Sequence, residues 1–260
     1  MTTAEQTKSV VLTIAGFDPS GGAGIIADIR TIESFGCTAV AAITSVTFQN
    51  AEKFFGANHQ PVESVRGQVE AITGAMKIAA VKIGMLPTAE IAHEVSRLIG
   101  EDNLPVPVID PVMESTSGSK LMEDDAFEVF VTELLPLARA VTPNIPEAEK
   151  LAGVNIHDED DMRQAAARIR ELGVRAVLIK GGHLEEQSAE GRGQRAEAVD
   201  LLDDNGQVTV FRSEWIEAPN VRGTGCMLSS AIAASLANGS DLKGAVGAAK
   251  HFVSDRIRFD

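Results

Sequence analysis

The chain has no tyrosine, one tryptophan (Trp215) and two cysteines, Cys37 and Cys226, among 260 residues. Two thiols cannot build a disulfide framework, so a reducing compartment is expected. The missing tyrosines argue against an aromatic-rich docking surface while leaving small-molecule binding open. There is no apolar run of about 18 residues and no charged, then apolar, then small-residue leader, which predicts a soluble, cytoplasmic protein with no membrane partner. Positive charge is also scarce: 23 Lys and Arg face 37 Asp and Glu, a formal charge of −14. Without a compensating basic cluster, that charge repels a polyphosphate backbone and argues against nucleic acid as a partner. Neither Gly-x-Gly-x-x-Gly nor Gly-x-x-x-x-Gly-Lys-Ser/Thr occurs, so a dinucleotide fingerprint and a Walker loop are both unsupported.

What is present alternates between strand and helix. Residues 9–15, 40–48, 79–86, 106–113, 140–144 and 174–179 are short apolar or β-branched runs that read as strands. Between them, residues 25–35, 62–76, 88–98, 158–172 and 242–257 read as helices, with another opening at Pro146. Segments 198–202 and 207–211 flank Asp203-Asp204-Asn205-Gly206, a hairpin signal. The polar, glycine-containing stretch 185–195 reads as a mobile loop, and Glu123-Asp124-Asp125 as the first turn of a solvated helix. This order predicts an α/β fold in one domain over residues 1–260, with helices on both faces of a mostly parallel sheet and a late antiparallel hairpin.

Chemistry is expected in the loops. Gly223-Thr224-Gly225-Cys226, followed by an Ala/Leu/Ile-rich helix, offers amide groups and the positive end of a helix dipole to an anion. The same dipole would depress the Cys226 thiol pKa; a glycine turn before a packed helix is the plainer alternative. Gly16 and the glycines after Asp18 let a substrate approach the backbone, although Asp18-Pro19-Ser20-Gly21 also suits an ordinary turn. Gln49 presents a donor and an acceptor suited to a heteroaromatic ring, or is a solvated loop amide. Asp110 ends a strand, where open parallel sheets face their ligand. Asn144 and Glu147, three apart, suit either a hydrated Mg²⁺ or a helix cap. Lys180 before two glycines suits phosphate contact, or is a surface lysine.

Taken in order, residues 13–24, Gln49-Asn50, residues 82–86, Asp110-Pro111-Val112-Met113, residues 142–148, Lys180-Gly181-Gly182-His183 and Gly223-Thr224-Gly225-Cys226 resemble the ribokinase-like superfamily. The resemblance is closest to the hydroxymethylpyrimidine/phosphomethylpyrimidine kinases of thiamine biosynthesis. It implies a three-layer α/β/α sandwich and an ATP- and Mg²⁺-dependent kinase. The acceptors would be 4-amino-5-hydroxymethyl-2-methylpyrimidine and then its monophosphate. It places Gly16, Asp18, Gln49, Met85 and Val112 at the pyrimidine, Asp110 and Glu147 at the metal, Asn144, Glu147 and Lys180 at the nucleotide, and residues 223–226 in the anion hole. A Cys226 thiolate would assist the alcohol step more than the second step, whose phosphate nucleophile is already ionised. A homodimer is also implied. Two alternatives are a pyridoxal or pyridoxine kinase, whose relatives share the Gly-Thr-Gly-Cys loop, and a non-catalytic pyrimidine-binding protein. This chain departs from the family pattern at Val221-Arg222, where Thr-His is common, and at Met227, where Thr is common. Arg222 would either meet a phosphate or lie in solvent.

Overall fold

The computed structural model describes residues 8–50, 52–101, 104–115, 118–182, 197–216 and 222–259. The expected loop at 185–195, and His183, Val221, Thr116 and Ser117, lie outside the described residues. The β-branched run after the polar start forms β1 (Val10–Phe17), and α1 (Gly24–Ser34) follows the glycine loop. Next come β2 (Thr38–Gln49), β3 (Phe54–His59), α2 (Val62–Thr73), β4 (Ile78–Ile83) and α3 (Ala89–Glu101). Strand β5 (Val108–Ile109) leads to α4 (Asp124–Val129), which runs on through a π turn at Phe130–Leu134 and a 3₁₀ turn at Leu135–Leu137. The remainder is β6 (Ala140–Val141), α5 (Ile145–Ala152), α6 (Glu159–Glu171), β7 (Ala176–Lys180), β8 (Glu197–Asp204), β9 (Gln207–Glu214), α7 (Thr224–Ala237) and α8 (Leu242–Phe259).

The strands make one sheet in the order β3-β2-β1-β4-β5-β6-β7-β8-β9. Strands β1, β2, β4, β5, β6 and β7 run parallel, whereas β3 on one edge and the β8–β9 hairpin on the other pair antiparallel. The order of addition reverses between β1 and β4, and a ligand crevice belongs outside the carboxyl ends of strands at such a point. Successive side chains leave a strand on opposite faces. Leu12 and Ile14 therefore join a core with Val65, Val95, Phe130 and Ile169 beneath α2 to α6. Val11 and Ala80 join a second core with Ile32, Ile232 and Val246 beneath α1, α7 and α8. The result is the expected three-layer sandwich. Among the described residues, no helix is long and apolar enough to cross a membrane.

Three differences from the sequence reading have physical causes. Strand β3 was not expected, because Gly56 and Asn58 break the apolar pattern of Phe54-Phe55; pairing of Phe48 with Gly56 supplies the order that propensity does not. Strand β5 is only two residues of the expected 106–113, since Pro105, Pro107 and Pro111 bracket it and cannot donate to a ladder. The acidic residues at 123–125 do begin a helix, and its apolar side buries Ala126 and Phe130 in the larger core. The hairpin turn is tighter than expected. Asn205 and Gly206 alone make it, with φ of 53° and 87°, the positive values a two-residue hairpin demands.

Candidate active site

Every candidate residue from the sequence lines one cleft at the carboxyl ends of the parallel strands. Gly16 lies near the end of β1 and Asp18 follows it, Gln49 ends β2, Met85 follows β4, Asp110 and Val112 follow β5, Asn144 follows β6 and Lys180 ends β7. Residues 223–226 close the ring from the opposite layer. Gly223 caps α7 with φ of 71°, and a Cβ there would stand 2.3 Å from the Gly22 carbonyl oxygen, so only glycine fits. The first intrahelical bond runs from the Met227 amide to the Gly223 carbonyl, at 2.8 Å. The amides of the preceding turn are those a helix leaves without internal partners, and the residues that carry them line the cleft.

One half of the cleft is charged. Lys180 Nζ donates to Asp110 Oδ1 at 2.9 Å, and a Cβ on Gly225 would lie 3.1 Å from that ammonium and 3.3 Å from Asp110 Oδ2. The α7 backbone thus passes directly over the ion pair. Burial works against the Asp110 charge, but Lys180 and Lys82 outweigh it and hold the carboxyl below its usual range. Burial likewise opposes the Lys180 charge, yet Asp110 and Glu147 hold the ammonium above its ordinary value. Burial pushes Glu147 up to about 7; Lys180 pulls it down, and the Asp110 charge pushes it further up.

Asn144 and Glu147 form a reciprocal capping box. The Glu147 amide donates to Asn144 Oδ1 at 2.9 Å, and the Asn144 amide donates to Glu147 Oε2 at 2.8 Å. The capping alternative is therefore realised, and the Asn144 side-chain oxygen is spent on α5. Glu147 still faces the cleft beside Asp110. Two neighbouring carboxylates, one held close to neutrality partly by the other, make a hard-oxygen donor set that fits Mg²⁺, an ion that keeps most of its waters and shares substrate phosphates. Among the described residues there is no group of three or more His, Cys, Asp or Glu that could hold a metal.

The expectation of a depressed Cys226 pKa is overturned. Burial pushes the thiol up to about 12; Lys82 counters it, Asp110 and Asp28 add to it, and the Gly24 amide donates weakly against it. Cys226 keeps some exposed surface in the cleft. That opening is outweighed by two carboxylates in a low-dielectric wall, against which a helix dipole is a small effect. These influences favour the protonated thiol at Cys226.

The other half of the cleft is less charged. Asp18, only 1% exposed, accepts from the Ser20 amide at 2.9 Å and the Ser20 hydroxyl at 2.7 Å through Oδ1. Its Oδ2 is buried with no hydrogen-bond partner. A carboxylate oxygen in that state is costly unless a ligand brings a donor. Gln49 Nε2 donates to Thr47 Oγ1 at 2.9 Å, and Arg222 Nη2 donates to Gln49 Oε1 at 2.8 Å. Met85 is held by its carbonyl, which accepts from Thr44 Oγ1 at 2.7 Å.

Sequence reading missed the floor beneath both halves. Lys82, fully buried, donates to Asp28 Oδ1 and Oδ2 at 2.9 and 2.8 Å, and Asp28 also accepts from Thr13 Oγ1 at 2.7 Å and Ser230 Oγ at 2.8 Å. This cluster ties β1, β4, α1 and α7 together under the cleft. The available signal was a lysine inside an apolar strand and an aspartate inside the apolar stripe of α1, positions that require partners when buried.

The sequence model described as phosphomethylpyrimidine kinase matches residues 18–260. The hydroxymethylpyrimidine/phosphomethylpyrimidine kinase of Streptomyces coelicolor is 41% identical over 96% of this chain and 89% of its own length. Among solved structures, the phosphomethylpyrimidine kinase of Clostridium difficile 630 superposes with a TM-score of 0.82 at 38% identity, covering 96% of this chain and all of its own. The pyridoxal kinase of Staphylococcus aureus in complex with pyridoxal gives a TM-score of 0.85 at 31% identity, covering 97% and 88%. On the family match over residues 18–260 and the identities with these relatives, the chain belongs to the phosphomethylpyrimidine kinase family.

Proposed function

We propose that the chain transfers the terminal phosphoryl group of ATP to 4-amino-5-hydroxymethyl-2-methylpyrimidine, and then to the resulting monophosphate to give the diphosphate. The observation that carries the reading is the convergence of Lys180, Asp110 and the first turn of α7 on one wall of a cleft whose other wall is formed by Gly16, Asp18, Gln49 and Met85. Charge develops on the non-bridging oxygens of a phosphoryl group in flight. An ammonium and helix-terminal amides held rigidly around it lower that barrier without reorganising. Asp110 and Glu147 would hold Mg²⁺, which when bound neutralises phosphate charge. Gly225 keeps the backbone close enough to Lys180 for both to reach one phosphate.

The raised pKa of Cys226 supports a scheme without thiolate base catalysis. In the second step the nucleophile is a phosphate oxygen that is ionised near neutral pH. In the first step a loose transition state asks little of a base, and positioning of the alcohol supplies most of the acceleration. Homodimer formation, a single domain over residues 1–260 and a cytoplasmic location belong to the same proposal.

Likeness to a pyridoxal kinase supports a second acceptor reading. The buried, unpartnered Asp18 Oδ2 calls for a ring donor, which the exocyclic amine of the pyrimidine supplies and the phenolic hydroxyl of pyridoxal can also supply, so turnover decides between the acceptors. The test is turnover by the purified protein with ATP and Mg²⁺, offering hydroxymethylpyrimidine, its monophosphate and pyridoxal separately and identifying products by mass. Diphosphate from the monophosphate is expected. Preference for pyridoxal moves the protein to the second reading, and binding of a ring without phosphorylation removes the kinase function.

A further inference from the structure

Arg222 stands immediately before the cap of α7, where a phosphate contact or solvent was expected. The structure puts it elsewhere. Its guanidinium reaches across the cleft mouth: Nη2 donates to Gln49 Oε1 at 2.8 Å, Nη1 donates to the Asn50 carbonyl, and Nη1 approaches Ser20 Oγ at 3.5 Å. One side chain therefore links the start of α7, the end of β2 and the loop after β1.

The donor and acceptor chemistry around Gln49 permits a single orientation of its amide. A guanidinium can only donate, so the group facing Arg222 must be the carbonyl oxygen. Thr47 Oγ1 donates its proton to the Phe17 carbonyl at 3.0 Å, so it must accept from Gln49, and the group facing it must be the amide nitrogen. Arg222 and Thr47 thus fix the amide from both ends. One N–H of Nε2 remains after the Thr47 bond. Asp18 Oδ2 is a buried acceptor lining the same cleft. The two together offer a donor and an acceptor, the complement of a ring edge carrying an amine beside a ring nitrogen.

We propose that Arg222 is the specificity-determining residue of the acceptor half, acting by locking the Gln49 amide so that its free N–H meets the ring nitrogen of an aminopyrimidine while Asp18 Oδ2 meets the adjacent amine. The inference rests on the reading that the acceptor is a hydroxymethyl heteroaromatic. It makes Arg222 a positioning residue that does not touch the phosphate. Replacing it removes one of the two constraints and leaves the Thr47 bond alone to oppose a turn of the amide, which would offer an oxygen where the ring also has an acceptor.

Two variants and two acceptors test this. Arg222→Met keeps an unbranched apolar stem and loses the donors. Gln49→Glu keeps an oxygen for Arg222, so the link across the cleft mouth survives, and removes the N–H. Steady-state kinetics with hydroxymethylpyrimidine and with pyridoxal, and calorimetry with hydroxymethylpyrimidine in the absence of ATP, are the readouts. Both variants are expected to raise KM and Kd for hydroxymethylpyrimidine about tenfold, the scale of one hydrogen bond, and to lower the preference over pyridoxal by a similar factor, with KM for ATP unchanged. Normal hydroxymethylpyrimidine binding in Gln49→Glu would show that Arg222 acts only as a strap between loops. A rise in KM for ATP in Arg222→Met would return it to phosphate contact. Either result overturns the inference while wild-type turnover leaves the kinase reading standing; wild-type failure on both rings removes that reading and this inference with it.

Discussion

The two halves of the cleft solve opposite problems with similar residues. Asp110 in the charged half already holds a cation before any ligand arrives, with Lys180 Nζ at 2.9 Å and Thr142 Oγ1 at 3.4 Å, both on Oδ1. Asp18 in the other half keeps one oxygen buried and unpaired. A preformed ion pair under the open end of a helix suits a ligand whose charge is large and whose identity is fixed, because the electrostatics need no rearrangement when it reacts. An orphaned acceptor suits discrimination, because a ring lacking a donor leaves it unpaired and loses far more than one methyl group would cost. Rate and selectivity are thus separated across one cleft.

That separation can be broken from the charged side first. Lys180→Met should lower kcat by about 10²–10³-fold, the scale for removing one preorganised charge from a transition state, while acceptor KM holds. Stopped assays on both substrates check it; an acceptor KM that rises in step with the loss of kcat would merge the halves. The floor beneath them should matter for folding before it matters for either ligand. Lys82→Met leaves Asp28 buried and uncompensated and should cost about 3–5 kcal/mol in denaturant unfolding, whereas Lys82→Met with Asp28→Asn should recover much of that. Equal losses in the single and double variants would contradict the pairing.

Two smaller effects sharpen the charged half. Glu147 is protonated below about 7 and ionised above it, so its share of Mg²⁺ binding is lost as pH falls through that value. The Mg²⁺ concentration for half-maximal rate should rise by up to about tenfold per pH unit below 7, and Glu147→Gln should flatten the dependence. A flat profile in the wild type would remove Glu147 from the metal. The Cys226 thiol, pushed up to about 12, should alkylate about tenfold faster per pH unit through pH 10 without a plateau, read by peptide mass. A plateau near neutral pH would restore the thiolate.

Much of the cleft was legible because parallel strands deliver their ends to one place. Reading Asp110, Lys180 and Gln49 as strand-terminal residues was enough to group them, and the Gly223 and Gly225 spacing marked the helix start over them. What escaped the sequence depended on pairing across long separations. Asn144 suited metal or cap, with the cap favoured locally, and the reciprocal bonds with Glu147 realise the cap. The Cys226 pKa is raised first by burial and then by Asp110 and Asp28, which lie 116 and 198 positions away in the chain. Strand β3 has weak propensity of its own and exists because β2 offers it an edge. Lys82 was visible as an oddity in an apolar run, but its partners on α1 and α7 were not.

The central claim is that ring and phosphate are read by separate halves, and calorimetry on two variants tests it most directly. Asp18→Asn preserves an oxygen for the Ser20 turn and converts the orphaned acceptor into a donor; Lys180→Met removes the phosphate-side charge. The account predicts that Asp18→Asn weakens hydroxymethylpyrimidine binding by about tenfold or more with Mg-ATP binding intact, and that Lys180→Met does the reverse. Loss of both ligands in both variants, with each protein folded, would contradict it.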